Sequence, residues 1–242
     1  MEKVLEIEHL KKSFGKNDVL VDISLDLFRG ENLAVLGKSG TGKSVMIKCI
    51  VGLIAADEGK VRVLGEDMAE LNNDERNELR KKVGYLFQGG ALYDSMTVRE
   101  NLEFPVRRSQ VYKNKAEMKE LVEEALEHVG LQDTINKMPA ELSGGMRKRI
   151  GLARTLILKP EIILYDEPTT GLDPVTAGEI SELILHVREK YNTSSIIITH
   201  DMKCARMTAD RLKLMADGRF YVEGTFRELS ESSDKEVRAY FT

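Results

Sequence analysis

Residues 37–44 read Gly-Lys-Ser-Gly-Thr-Gly-Lys-Ser and lie between a short apolar run, residues 32–36, and a helical pattern that starts at Ser44. Glycines let the main chain turn tightly, so that backbone N–H groups can approach an anion closely. The N-terminus of the helix that follows adds about half a positive charge. A loop of the form G-x-x-x-x-G-K-[ST] between a strand and a helix is typical of polyphosphate binding. The segment therefore predicts a P-loop at the end of a buried strand.

The candidate nucleotide-binding residues in this loop are Gly37, Lys38, Ser39, Gly40, Thr41, Gly42, Lys43 and Ser44. We expect the ammonium of Lys43 to reach the β and γ phosphates. The hydroxyl of Ser44 is the expected ligand of Mg²⁺, because Mg²⁺ prefers oxygen ligands and shares its shell with phosphate oxygens. A glycine-rich turn that only caps a helix is the alternative, and the match in both spacing and context disfavours it.

A second apolar run, residues 162–165, ends in Asp166 and Glu167. A P-loop needs a carboxylate on a neighbouring strand end, so we predict that Asp166 is a ligand of Mg²⁺, in the Walker B role. Glu167 is one residue further along and points elsewhere, where it could accept a proton from the attacking water. A polar strand end without chemistry is the alternative for this pair alone, but not beside a P-loop.

The hydrophobic periodicity predicts an α/β fold. Alternating apolar and polar residues at 21–27 are typical of a strand with one solvated face and indicate an antiparallel β unit. The runs at 162–165 and 196–199 read as buried strands next to helical patterns, as in βαβ crossovers. Near the C-terminus, Asp217 and Gly218 favour the turn of a hairpin.

We expect one domain over the 242 residues, with a helical insertion. Residues 97–158 show helical patterns only, and Ser143 is a plausible N-cap for one of these helices. This segment is the expected helical subdomain. The expected β subdomain and parallel-sheet core comprise residues 1–96 and 159–242.

Composition excludes several classes of protein. Apolar residues make up 42% and charged residues 31%, which is a globular and not a disordered composition. The net charge of −4 disfavours a nucleic-acid partner. Cys49 and Cys204 are far apart and neither belongs to a C-x-x-C pair, which argues against a zinc site or a disulfide framework and favours a reducing cytoplasm.

The apolar stretches are short. The N-terminus lacks the apolar segment of a secretory signal. The richest stretch, residues 45–56, is interrupted by Lys48 and Gly52 and falls short of the ~20 apolar residues of a membrane-spanning helix. We therefore expect any membrane role to go through a partner. A guanine-reading motif is approximated only by residues 114–117, which end in Glu within a helical pattern, so ATP is expected rather than GTP.

Residues 142–146, Leu-Ser-Gly-Gly-Met, resemble the LSGGQ signature of ATP-binding cassette (ABC) ATPases, and they precede Asp166 by the interval usual in that family. Four further motifs occur along the chain in the order usual in the family. Phe14 resembles the adenine-stacking A-loop residue, Gln88 the Q-loop, residues 171–174 the D-loop with Asp173, and His200 the switch histidine. The resemblance covers residues 5–224.

This resemblance implies a P-loop NTPase fold of the ABC ATPase type: a RecA-like parallel-sheet core, an N-terminal antiparallel β subdomain and an inserted α-helical subdomain. It implies ATP and Mg²⁺ as cofactors and catalysis by Glu167, His200 and Gln88. His200 would contact the γ-phosphate, and Gln88 would touch Mg²⁺ or the attacking water. Phe14 would stack on adenine, with an ordinary core aromatic as the alternative.

The signature residues supply a second phosphate site, since Ser143, Gly144 and Gly145 stand at a predicted helix N-terminus. In the family, the signature of one copy closes over the ATP of a second copy in a head-to-tail dimer. Met146 stands where Gln is usual: it either contacts nucleotide or is the first core-facing residue of its helix. Residues 147–149, Arg-Lys-Arg, are expected to be a solvated helix start, unless they help to hold phosphate.

Residues 86–101, 142–149 and 165–174 resemble, more narrowly, the ATPase subunits of Mla/Mce-type lipid transport systems. The features that best distinguish these ATPases from other ABC ATPases are the segment 89–92, Gly-Gly-Ala-Leu, and Met146. Such complexes pair two ATPases with a permease dimer and an Mce-type lipid-binding protein, and move phospholipids between bacterial membranes. The resemblance implies a peripheral subunit, held by the permease at the cytoplasmic face of the inner membrane.

Two other functions remain open at this point: the ATPase of an amino-acid or lipoprotein ABC system, and a permease-free ABC ATPase that remodels a macromolecule. The residues after Gly224 are too few for a regulatory domain. They form either a tail that packs on the core or one that reaches a second subunit.

Overall fold

The structure is a computed structural model that describes residues 1–112 and 114–241. Its strands are β1 Lys3–Phe14, β2 Asn17–Phe28, β3 Asn32–Leu36, β4 Glu58–Val63, β5 Glu66–Asp67, β6 Val83–Leu86, β7 Ile162–Asp166, β8 Ser194–Ile198, β9 Arg211–Ala216 and β10 Arg219–Gly224. Its helices are α1 Lys43–Ile50, α2 Asn73–Lys81, α3 Val98–Ser109, α4 Lys115–Glu127, α5 Gly144–Leu156, α6 Pro174–Tyr191, α7 Met202–Thr208, α8 Phe226–Ser230 and α9 Lys235–Arg238. Short 3-10 helices span Gln132–Thr134 and Pro139–Glu141.

The described strands join in one mixed sheet, in the order β5-β4-β1-β2-β10-β9-β3-β8-β7-β6. Strands β9, β3, β8, β7 and β6 are parallel neighbours, and every residue of β3, β7 and β8 is buried. Helices cover both faces of such a core, which explains why these strands read as continuous apolar runs. Their carboxyl ends meet at one edge of the sheet, so the loops after β3, β7 and β8 are brought together. The predicted α/β fold is confirmed.

The antiparallel part is formed by β1, β2, β4 and β5. On β2, the side chains of Ile23, Leu25 and Leu27 are buried, as the alternation predicts. The predicted hairpin also forms, between β9 and β10. Both turn residues have positive φ, 45° at Asp217 and 68° at Gly218, which is the backbone twist that a two-residue hairpin favours.

Helices α3, α4 and α5 pack around an apolar cluster of their own. Its buried members include Val98, Leu102, Val106, Met118, Val122, Leu126, Ile150, Ala153 and Ile157. Thr97 begins α3 with a capping box to Glu100, and Ser143 begins α5 by accepting a hydrogen bond from the N–H of Met146 at 3.2 Å.

The C-terminal segment packs on the chain's own core. Leu229 and Val237 of α8 and α9 are buried with residues of β9 and α7. The rings of Phe226 and Phe241 meet edge to face at 5.1 Å. Of the two alternatives for the tail, the structure shows the first. No helix within residues 1–112 and 114–241 combines the length and the apolar character that crossing a membrane requires.

Candidate functional site

A cavity of about 540 Å³ opens at the carboxyl edge of the parallel strands. Its volume falls in the range of small-ligand sites. Val19 of β2 lines the cavity on one side. The other lining residues lie at the ends of β3, β6, β7 and β8, in the loops that follow them or in the first turn of α1: Gly37, Lys38, Ser39, Gly40, Gly42, Lys43, Ser44, Val45, Gln88, Glu167, Ile198 and His200. Residues far apart in the sequence thus share one site because the parallel topology places their strand ends side by side.

The loop 37–44 turns into α1 through Gly42. Its φ is 101°, a conformation that L side chains rarely adopt, and a Cβ there would lie 2.7 Å from the carbonyl oxygen of Val19. Glycine has no side chain that could cap the helix, so the first N–H groups of α1 remain available to an anion. This backbone geometry is compatible with the anion-binding loop that the sequence pattern predicts.

The ammonium of Lys43 is held inside this loop. Its Nζ donates to the carbonyl oxygens of Gly37 at 2.7 Å and Lys38 at 2.9 Å. The side chain is buried, and burial lowers its pKa, while the carboxylates of Glu167 and Asp166 act in the opposite direction. A polyphosphate in the cavity would meet this cation together with the backbone N–H groups.

Oxygen donors meet beside the loop at Asp166. The hydroxyl of Ser44 donates to Oδ1 of Asp166 at 3.0 Å, and the hydroxyl of Tyr85 donates to Oδ2 at 3.1 Å. Hydroxyl and carboxylate oxygens are the ligands that Mg²⁺ prefers, so the residues present fit this ion. Sequence reasoning missed Tyr85. Its only signal was a polar tip on a strand that runs parallel to β7.

Glu167 is held by hydrogen bonds at both its carboxylate and its backbone N–H. Its Oε2 accepts from the hydroxyl of Thr170 at 2.9 Å and from Nδ1 of His200 at 2.7 Å. Its backbone N–H donates to the carbonyl of Ile198 at 2.9 Å, and its φ is 52°. A positive φ is uncommon for a non-glycine residue, so the contacts around Glu167 must hold its backbone in this conformation. The contacts with Thr170 and His200 were not predicted.

Lys148 corrects an expectation. Arg147 is exposed as expected of a solvated helix start, but Lys148 is only 6% exposed. Its Nζ donates to the carbonyl oxygens of Glu167 at 3.0 Å and Thr170 at 2.7 Å. Burial lowers the pKa of Lys148 to about 8. The expectation was wrong because this side of α5 packs against the loop after β7, which the charge run in the sequence cannot reveal.

The signature residues stand apart from the cavity. Ser143 and Gly144 are exposed at the start of α5, whereas Gly145 is buried against α6. A Cβ on Gly145 would lie 2.5 Å from Cγ2 of Thr176, so glycine is required for this contact. Met146 is half-buried and packs against the apolar cluster of α3, α4 and α5. This contact accounts for Met146 as a core-facing residue.

Besides the signature residues, four predicted site residues are not part of the cavity lining: Asp166, which bonds Ser44, and Phe14, Thr41 and Asp173. Phe14, at the end of β1, is exposed, and the ammonium of Lys12 lies 5.5 Å from its ring centroid. The hydroxyl of Thr41 donates to the carbonyl of Lys38 at 3.0 Å. Asp173 caps α6, where bonds from the hydroxyl and N–H of Thr176 lower its pKa.

The segment after Gln88 is fixed by two side chains that sequence reasoning missed. Asn101 is buried, and its side-chain amide bonds the backbone of the loop that ends at Thr97. Arg154 of α5 donates to the carbonyls of Gly90 at 3.1 Å and Ala91 at 2.9 Å, and burial lowers its pKa. These contacts hold the segment against the helical part of the chain.

Known proteins resemble this chain over nearly its whole length. A family model described as "ABC transporter" matches residues 20–170. The probable ribonucleotide transport ATP-binding protein mkl of Mycobacterium leprae is 40% identical over 98% of this chain and 68% of that protein. The methionine import ATP-binding protein MetN of Rhizobium etli is 39% identical over 92% of this chain and 61% of that protein. The chain thus spans about two thirds of the length of these two relatives.

A third relative has nearly the same length. The intermembrane phospholipid transport system ATP-binding protein MlaF of Haemophilus influenzae is 35% identical over 98% of this chain and 89% of that protein. Among solved structures, the dimeric structure of MJ0796, a bacterial ABC transporter cassette, matches with a TM-score of 0.85 and 30% identity, over 92% of this chain and 99% of that one.

Proposed function

The chain belongs to the ABC transporter family and is an ATPase, and from this premise we propose that it powers phospholipid transport through a membrane permease. The observation that carries the proposal is the resemblance to MlaF, whose length this chain covers almost completely. The segments around Gln88 and Ser143 support the same assignment, since their amino-acid sequences resemble those of Mla/Mce-type ATPases.

We propose that ATP binds with its phosphates in the loop 37–44. The backbone N–H groups and the positive end of α1 would bind the phosphate oxygens, and Lys43 would neutralise charge on the β and γ phosphates. Ser44 and Asp166 would hold Mg²⁺ with Gln88 beside them, and the ion would offset charge on the same phosphates when bound. Phe14 would stack on the adenine.

We propose that Glu167 is the general base. The hydroxyl of Thr170 and the imidazole of His200 hold one oxygen of its carboxylate, so the group cannot rotate freely. The carboxylate would take the proton of a water that attacks the γ-phosphate. His200 is exposed at the cavity and would contact the γ-phosphate itself. Catalysis of this kind depends on positioning and charge more than on covalent chemistry.

We propose that two copies complete the site head to tail. Ser143 to Met146 lie away from the P-loop cavity of their own chain but begin α5, a 13-residue helix whose N-terminus can bind an anion. This arrangement suits a nucleotide held by a second copy, with Asp173 at the interface between copies. The dimeric cassette that matches this fold supports the proposal.

The permease would dock beside the segment 89–92. Three aromatic side chains near it, Phe87, Tyr93 and Phe104, are exposed, and the rings of Tyr93 and Phe104 contact each other at 5.0 Å. Exposed apolar side chains grouped in this way favour a protein partner. The partners we propose are a permease dimer and an Mce-type lipid-binding protein, with this chain at the cytoplasmic face of the inner membrane.

Amino-acid import is the second candidate, since MetN is 39% identical to this chain. The two candidates differ in their partners. We would purify the tagged chain from its native membrane in mild detergent and identify the proteins and lipids that accompany it by mass spectrometry. A permease with an Mce-type protein and phospholipid is the expected result. A permease with an amino-acid receptor would replace the lipid assignment, and recovery without a permease would refute transport.

A matched variant controls this experiment. Tyr93→Asp with Phe104→Asp places charge on the proposed permease face and leaves the P-loop unchanged. We expect this variant to bind ATP normally and to lose the permease in the same purification. Retention of the permease by the variant would refute the proposed docking face while leaving the ATPase assignment intact.

A further inference from the structure

A buried ammonium joins helix α5 to the loop that carries Glu167. The Nζ of Lys148 donates to two main-chain carbonyls, of Glu167 at 3.0 Å and of Thr170 at 2.7 Å. The neighbouring cations on α5 have other partners: Arg147 donates to the carbonyl of Leu142, and Arg149 pairs with Glu179 of α6. Only the middle residue of the three is directed at the catalytic loop.

The burial of this side chain is unfavourable by itself. A charged group that leaves water loses its hydration, and the lowered pKa of Lys148 reflects that loss. The two carbonyls compensate, because charge-assisted hydrogen bonds are about twice as strong as neutral ones. The contact therefore has a local purpose that an apolar side chain of the same length could not serve.

The bonded carbonyl belongs to the residue with unusual backbone geometry. Glu167 has a φ of 52°, and its carbonyl also accepts from the N–H of Thr170 at 3.3 Å. Thr170 in turn donates its hydroxyl to the carboxylate of Glu167. Lys148 thus fixes both ends of the short turn that determines where the carboxylate points.

We propose that Lys148 is a positioning residue for Glu167, which it keeps oriented toward the cavity through the carbonyls of Glu167 and Thr170. This inference rests on the proposed role of Glu167 as general base. Lys148 touches neither substrate nor ion; it acts through the main chain of the loop. Its loss should therefore change the rate of hydrolysis and leave the binding of ATP nearly unchanged.

The test compares the steady-state hydrolysis of ATP by the purified full-length chain and its variants. Lys148→Met replaces the ammonium by an unbranched apolar side chain that is one atom shorter and removes the donors, and we expect kcat to fall by about tenfold or more. The KM for ATP and the ATP affinity should stay within about twofold, since the P-loop is intact. Lys148→Arg keeps charged donors and should recover most of the rate.

Two further variants separate positioning from general damage. Arg149→Met makes the same kind of change on the next residue of α5, breaks the pair with Glu179, and should keep kcat near that of the wild type. Lys148→Gln keeps an N–H donor on a shorter side chain and should lose less rate than Lys148→Met. It carries the test if Lys148→Met does not fold, as judged by thermal unfolding.

A double variant and an exchange measurement complete the design. In a Glu167→Gln background, Lys148→Met should cause no further loss of rate, because it acts through Glu167. Amide hydrogen exchange should become faster in the segment 167–172 of Lys148→Met and stay unchanged in α6. An unchanged kcat in Lys148→Met would overturn the inference, as would an equal loss in Arg149→Met.

The failure of the underlying assignment would look different. If Glu167→Gln hydrolyses ATP at the wild-type rate, Glu167 is not the general base, whatever Lys148 does. If Glu167→Gln is inactive and Lys148→Met is fully active, the base assignment stands and the positioning role of Lys148 is wrong.

Discussion

The two glycines that begin α5 should respond differently to alanine. Gly144→Ala places a Cβ 3.6 Å from Cδ2 of Leu172, an ordinary van der Waals distance. Gly145→Ala places one 2.5 Å from Cγ2 of Thr176, where no real Cβ can stay. Thr176 cannot turn away without loss, because its hydroxyl donates to Asp173 at 2.6 Å and this bond belongs to the cap of α6.

The magnitude follows from the difference between the two positions. Alanine is favoured over glycine in a helix by up to about 1 kcal/mol, and this gain is similar at adjacent positions in one turn. Inserting a methyl group into a packed contact costs about 1–3 kcal/mol. We therefore expect the free energy of unfolding of Gly145→Ala to be about 1–3 kcal/mol lower than that of Gly144→Ala.

Urea denaturation of the full-length chain, followed by circular dichroism, measures this difference. Adding Thr176→Ser to Gly145→Ala should restore most of the loss, because serine keeps the hydroxyl bond to Asp173 and lacks Cγ2. Equal stability of the two alanine variants, or no recovery with Thr176→Ser, would show that the contact between α5 and α6 does not explain the need for glycine.

Three other predictions concern the site and the fold. Glu167→Gln should keep ATP binding and lower kcat by about 10²–10⁴-fold, the usual contribution of a general base, and a single-turnover assay checks this. Lys43→Ala should weaken ATP binding by about tenfold or more, since charge-assisted bonds to phosphate are lost, and calorimetry measures the affinity. The nearly buried His128 bonds the hydroxyl of Tyr191 at 2.5 Å, and its pKa is lowered first by burial and then by Lys190. The fold therefore favours the neutral form of His128, and this stabilisation is lost as the pH falls below 6.5, the ordinary pKa of the group. Over that range the free energy of unfolding should decrease more for the wild type than for His128→Gln, as measured by parallel urea titrations.

The local features of this chain could be read from its sequence. The glycine pattern of residues 37–44 and the apolar runs of β3, β7 and β8 depend on neighbours in the chain, and so does the N-cap at Ser143. Each of these forms in the structure where the pattern predicts it. The parallel direction of these strands then follows from the alternation of strands and helices.

The remaining features depend on contacts between distant segments. The bonds from Tyr85 to Asp166 and from Lys148 to the loop after β7 join residues on different elements. A charge run such as residues 147–149 looks the same whether its middle residue is exposed or buried, because periodicity gives the face of a helix but not what covers it. The role of Asp173 as the N-cap of α6 was also missed. This contact is local, but the residue had already been assigned to the D-loop.

The order of the strands also has a consequence for synthesis of the chain. β3 carries the P-loop at its end, yet its two neighbours in the sheet, β8 and β9, lie near the far end of the sequence. While a ribosome is still making the chain, β3 has no partner on either side, and its apolar residues wait for strands that emerge last. The ability to bind nucleotide should therefore arise late in translation, after β9 has left the ribosome, although the loop itself is among the first segments to be made.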